Sequence, residues 1–188
     1  KVALSIPQYG YRAGYYFPGS SWGVEANFDH AKYIVNDSQL VRLTGRIGDN
    51  VFDKDTLVTT SFMHLEHTDG ANFLLFNALK RWQLLRTPHI LVNVVAKAGI
   101  GIVIPRSDVT LFGERNNHCF HIAGQIVGTE AGFRGEFYKY FFIEATNKGV
   151  FANYNKVLGI GDGLVSHRFF AYELLLHAGI QFPMGGSD

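Results

Sequence analysis

One cysteine in 188 residues, Cys119, rules out an internal disulfide and a metal cluster built on several thiolates. Charge is scarce too. Asp, Glu, Lys and Arg make up 18% of the chain, below the roughly 25% of an ordinary soluble domain. A net charge of +1 leaves no basic surface to drive nucleic-acid binding, so no nucleic-acid partner is expected. No apolar run reaches the roughly 18 residues of a membrane helix. No signal segment is visible. The chain opens at Lys1 in a strand-like pattern, so any leader is expected to be already absent.

Aromatic residues and glycine are plentiful instead. There are 16 Phe, 9 Tyr and 21 Gly, while mean hydropathy stays near zero. A barrel with an apolar outside and a polar inside would have this composition. The stretch Arg168 to Phe182 shows how. Phe170, Tyr172, Leu174, Leu176, Ala178, Ile180 and Phe182 alternate with Ala171, Glu173, Leu175, His177, Gly179 and Gln181. Successive side chains of a strand point to opposite faces, so one face is apolar and the other mixed. The run exceeds the roughly 5–6 residues of a typical strand and suits a tilted crossing of hydrocarbon.

The same pattern recurs upstream. Tyr9–Phe17 and Trp22–Val35 read as strands joined by the turn Pro18 to Ser21. A long polar stretch follows, about Asn36 to Gly70. Strands are expected at Ala71–Trp82 and at Ile90–Ile104, the latter with an unbroken outward series from Ile90 to Ile104 and Lys97 on the opposite face. Pro105 ends it, and Arg106–Asn117 reads as a polar loop. His118–Arg134 is strand-like with an ambiguous phase, which predicts a bulge near Gly128. Tyr140–Phe151 is a strand, Ala152–His167 a loop, and Arg168–Phe182 the closing strand. Short connections alternate with long ones, as in outer-membrane barrels, where short turns are periplasmic. Seven strands are counted. Bacterial barrels are even-numbered, so eight are expected, the missing one upstream of Lys1, in Lys1–Pro7 or in Asn36–Gly70. Residues 1–188 read as one all-β domain, a transmembrane antiparallel up-and-down β-barrel with a lumen filled by side chains.

On alternation, aromatic strand ends, loop asymmetry and the terminal Leu176-His177-Ala178-Gly179-Ile180-Gln181-Phe182, the chain resembles the small Gram-negative outer-membrane β-barrels. That class includes OmpA-like and OmpX-like barrels and the lipid A-modifying barrels. The resemblance is architectural and covers nearly the whole chain. It implies the outer membrane of a Gram-negative bacterium, contact with its lipid and lipopolysaccharide, and other outer-membrane proteins as partners.

Arg12, Glu25, Asp29, Lys97, Glu144, Lys148, Glu173 and His177 fall on the expected inward face. Both signs are present, which favours a salt-bridged lumen over an ion path. The pairs His64/His67 and His118/His121 have residues three apart, which face opposite sides of a strand, so no metal site and no cofactor are expected. Glu66 to Asn72 faintly resembles the His-x-Ser-Asn motif of lipid A 3-O-deacylase barrels. His67 matches the base, but Asp69 stands where the Ser would be, and a carboxylate is a poor nucleophile for ester hydrolysis. His67 and Asp69 are therefore weak catalytic candidates. The expected role is structural or interactive, without an open pore and within a larger assembly. The alternatives are a lipid A-modifying acyl hydrolase and a soluble calyx for a hydrophobic ligand, which needs the apolar face turned inward.

Overall fold

A computed structural model describes residues 8–36, 38–47, 49–67, 70–117 and 119–182. Every helix or strand among them is a β-strand. In chain order these are β1 (Tyr9–Tyr16), β2 (Trp22–His30), β3 (Tyr33–Ile34), β4 (Leu40–Ile47), β5 (Asn50–Leu57), β6 (Met63–His67), β7 (Phe73–Arg86), β8 (Ile90–Val103), β9 (Ser107–Leu111), β10 (Glu114–Asn117), β11 (Gly124–Phe137), β12 (Phe141–Leu158) and β13 (Leu164–Ile180). Seven strands form one antiparallel sheet in the order β1-β2-β7-β8-β11-β12-β13. A second sheet runs β10-β9-β6-β3, and β4 pairs β5 as a separate ribbon.

The large sheet is strongly curled. Lys148 on β12 donates to Asn27 on β2 at 2.6 Å, although β7, β8 and β11 lie between them. Four ladder spacings would hold these strands about 19 Å apart in a flat sheet. Alternation then assigns the two faces. Leu174 and Leu176 are 75% and 76% exposed on the convex face, while Lys148 and Glu144 are 1% and 2% exposed on the concave one. A calyx requires the opposite sense.

Toward the end where β7 begins and β8 finishes, the interior changes character. Phe73, Leu75, Val103, Ile126, Val150 and Tyr154 form an apolar layer, joined by Leu65 of β6 and Val109 of β9. The second sheet therefore caps this end, and one apolar core runs through both sheets. Tyr154 donates its hydroxyl to the Ala71 carbonyl at 2.8 Å, which ties β12 to the connection between the sheets.

Several expectations need correction. β11 keeps an unbroken register from Gly124 to Phe137, with no bulge at Gly128. Ile126 is buried because the interior is apolar at its level, and that made the phase unreadable. The register shifts lie instead at Gln83/Leu85 and Tyr154/Val157. The expected loop 152–167 is mostly strand, since β12 runs to Leu158 and β13 starts at Leu164. The expected polar stretches 36–70 and 106–117 hold β4, β5, β6, β9 and β10, and none of these joins the seven-stranded sheet. Trp22–Val35 divides into β2 and β3. Lys1–Pro7 lies outside the described residues.

Candidate functional site

The concave face carries a connected set of ions at three levels. At the middle level, Lys97 on β8 lies 2.5 Å from Glu144, 3.0 Å from Glu25 and 3.5 Å from Glu130. Arg12 on β1 lies 2.6 Å from Glu130 and 3.5 Å from Glu144, and Asn77 donates to Glu25 at 3.1 Å. Nearer the short turns, Arg134 donates to Glu136 at 3.1 Å, Glu144 at 3.2 Å and Gln181 at 2.8 Å. Its guanidinium also stacks 3.6 Å from the Phe142 ring. Toward the apolar layer, Lys148 pairs with Asp29, and Asn27 donates to Asp29 at 3.0 Å.

Six of the eight inward residues expected from alternation thus meet in this network: Arg12, Glu25, Asp29, Lys97, Glu144 and Lys148. Glu173 and His177 also point inward on β13, but Glu173 Oε2 and His177 Nε2 find no hydrogen-bond partner among the described residues. Glu130 and Arg134 escape the sequence reading because the phase of 118–134 is ambiguous, and Glu136 because it falls in the expected link before Tyr140, whereas β11 runs to Phe137. Their signal was present as Glu130-x-Gly132-x-Arg134-x-Glu136, a charged face with period two. Burying so many ions is tolerable because nearly all are paired; a lone one would be strongly destabilising. Toward the cap the network gives way to the apolar side chains of Phe73, Leu75 and Val150.

A second cluster lies under the cap. His67 on β6 and Ser107 on β9 are cross-strand partners, with Nδ1 and Oγ 2.9 Å apart and both residues fully buried. His67 Nε2 lies 3.4 Å from His167 Nε2. Tyr33, Tyr154, His167 and Phe169 stack around them, with ring centroids 4.6 Å apart for Tyr154–His167 and for Tyr33–Phe169. Burial, then the neighbouring imidazoles of His167 and His121, lower the His67 pKa to about 3. The ring is therefore neutral at physiological pH. A hydroxyl bonded to a neutral imidazole is a nucleophile–base pair in outline. Here it is sealed from solvent, and the second imidazole nitrogen meets another histidine, not an orienting carboxylate. Asp69 lies outside the described residues.

No group of three or more metal-binding side chains occurs among the described residues. His64 faces Glu66 at 3.6 Å, on the opposite side of β6 from His67. His118 lies outside the described residues, and His121 contacts the carbonyls of Cys119 and Lys156. The Cys119 thiol is exposed. Asp108, read from sequence as part of a solvated loop, is buried and held below the usual carboxylate range by hydrogen bonds from Arg115.

A third feature is a seam. Among the described residues β1 pairs only with β2, and β13 only with β12. Both edge strands run the same way, from the capped end toward the short turns. Near the start of β1 the seam holds a cavity of about 240 Å³, lined by Gln8, Lys32, Phe73, Phe169 and Glu173 among others. Compared with family models, with curated proteins and with solved structures, the chain finds no match.

Proposed function

We propose that this chain is a membrane-embedded β-barrel of the outer-membrane type, with about eight strands, a filled interior and no open pore. The observation that carries the reading is the inverted burial. Aliphatic side chains such as Leu174, Leu176 and Ile100 stand exposed, while Lys97, Lys148, Glu130 and Glu144 are buried. In water this arrangement wastes the hydrophobic effect on every outward residue. In hydrocarbon the outward aliphatic residues meet their preferred solvent, while most of the buried ions keep a partner.

Dimensions support the same reading. Phe141 and Phe151 on β12 are outward aromatics ten residues apart. At about 3.3 Å per residue and a tilt of about 40°, that interval spans about 25 Å, the height of an outer-membrane apolar band. Trp22, Trp82, Tyr138, Tyr140 and Phe182 gather at the short-turn end. There Lys80 turns its ammonium to Ser21 Oγ at 2.7 Å and over the Trp22 ring at 4.5 Å, an interfacial arrangement.

The role that fits a plugged interior is structural or interactive. It is carried by the capping sheet and by the β4–β5 ribbon, which projects Leu40, Val51 and Leu57 into solvent. The setting is the outer membrane of a Gram-negative bacterium, with lipopolysaccharide and other membrane proteins as neighbours. Folding trials test this. The chain should fold only with detergent or lipid, migrate as a heat-modifiable band and leave planar bilayers non-conducting. A folded monomer in plain buffer would overturn the reading. The His67–Ser107 contact is the one observation that favours a lipid-acting hydrolase. Release of fatty acid from lipopolysaccharide, abolished by Ser107→Ala, would establish it.

A further inference from the structure

We propose that the outward face around Thr129 on β11 and Asn147 on β12 docks a second copy of this chain, related to the first by a twofold axis along the membrane normal. The inference rests on the barrel reading and names the partner for one part of its wall.

Alternation sets both residues outward, and both are exposed. Register makes them diagonal neighbours, since Thr129 pairs with Gly149 and Asn147 with Ala131. The same ladder gives their depth. Asn147 lies four residues short of the outward Phe151 and opposite Leu174 on β13. Four residues at about 3.3 Å each and a tilt of about 40° place it about 10 Å inside the band that Phe151 borders. The Tyr172 hydroxyl donates to Asn147 Oδ1, which leaves the two Nδ2 hydrogens to find another acceptor. Among the described residues neither those hydrogens nor the Thr129 hydroxyl has one. Hydrocarbon supplies none either, so polar side chains at this depth mark a contact.

Hydrogen-bonding capacity and charge select the occupant. The face is self-complementary: Asn147 Nδ2 donates, and the Thr129 oxygen accepts while its hydroxyl donates. A twofold along the membrane normal keeps every residue at its own depth, so Asn147 and Thr129 of one copy meet Thr129 and Asn147 of the other. An acyl chain brings neither donor nor acceptor there. The charged neighbours Glu130, Glu144 and Lys148 all point inward, so two identical faces meet without like-charge repulsion. Ala98, Ala131 and Ala145 are exposed beside the polar pair. Side chains this small let two walls approach closely enough for Thr and Asn to bond across them.

Energy transfer between chains labelled at the exposed Cys119 with donor or acceptor dyes tests the assignment, in phosphatidylcholine vesicles diluted stepwise with lipid. The parent should pass from dimer to monomer on dilution. Asn147→Leu should fold as the parent does and weaken the dimer about tenfold or more, as the loss of two hydrogen bonds in a bilayer implies. Val24→Ala, outward on β2, should leave the dimer unchanged. In a Cys119→Ser chain under copper-phenanthroline oxidation, Ala131→Cys should give a disulfide dimer and Val24→Cys should not. A folded parent that stays monomeric at every dilution overturns the proposal. So does an Asn147→Leu dimer as tight as the parent's, or equal crosslinking from positions 131 and 24. Heat-modifiability separates the two readings. A parent without a heat-modifiable band removes the barrel and the docking face together, whereas a band with no dimer removes the docking face alone. Where Asn147→Leu gives no such band, Thr129→Val is read in its place, with the dimer weakened if the face docks a copy and unchanged if it does not.

Discussion

Arg12 on β1 donates to Glu130 on β11 at 2.6 Å, although three strands of the sheet separate them. This contact joins the two properties on which the account depends. It requires the sheet to curl, and it places an ion pair where a water-soluble sheet would place its apolar core.

The middle level of the network predicts an asymmetry between single and paired substitutions. Lys97→Met leaves Glu25, Glu130 and Glu144 facing each other, with Arg12 among them and Arg134 on Glu144 as the remaining cations. The expected loss is about 3–5 kcal/mol, by urea unfolding in lipid vesicles. The double variant Lys97→Met/Glu144→Leu should recover most of it, because both members of the closest pair are then gone. Equal losses in the single and the double variant would show that the pair does not hold the interior together.

Outward positions should respond by depth. Leu174→Arg, midway between the outward Phe170 and Ile180, should cost about 2–4 kcal/mol in bilayers. Leu164→Arg, at the end of β13 beyond Phe170, should cost no more than about 1 kcal/mol. Similar costs at the two sites would argue that both meet water.

Acid should loosen the cap. The folded-state pKa of His67, about 3, lies below the ordinary value of 6.5, so the unfolded state binds the extra proton. The stability from its neutral burial is complete above pH 6.5 and is lost progressively as pH falls toward 3. At pH 4.5 the loss is ~2–3 kcal/mol, from two pH units at 1.36 kcal/mol each. Amide exchange in β6 and β9 measures it, and His67→Gln should flatten that pH dependence. An unchanged pH profile in the variant would place the acid sensitivity elsewhere.

Glycine on the concave face of β11 makes a packing prediction. A Cβ at Gly132 would collide with the Ala145 carbonyl and lie 2.7 Å from Thr146 Cα on the neighbouring β12. Gly132→Ala should therefore destabilise by at least the ~1–3 kcal/mol typical of an overpacked site. Gly161→Ala, in the turn between β12 and β13, meets open space but sits at φ 57°, so its smaller loss would come from backbone strain. Thermal unfolding in detergent compares the two.

What the sequence revealed follows from its periodicity. β8 and β13 were read in the correct phase because one face is uniformly apolar and the other carries Lys97, or Glu173 and His177. β11 was not, because its interior face changes from Ile126 to Glu130 as the filling changes from apolar to ionic. The extensions of β12 and β13 toward the cap were hidden for a related reason. Tyr154, His167 and Phe169 bury against one another, so no outward apolar series marks them as strand. The Ser107 partner of His67 lay beyond sequence reach, since only the β6–β9 register brings together residues forty apart.

The central claim is that the convex face of the sheet meets hydrocarbon. A fluorophore on Leu174→Cys in the Cys119→Ser chain, reconstituted in vesicles with quenchers fixed at known depths, tests it most directly. The strongest quenching is expected from the bilayer centre and none from an aqueous quencher. Quenching from water with no depth dependence, in a folded chain, would contradict it.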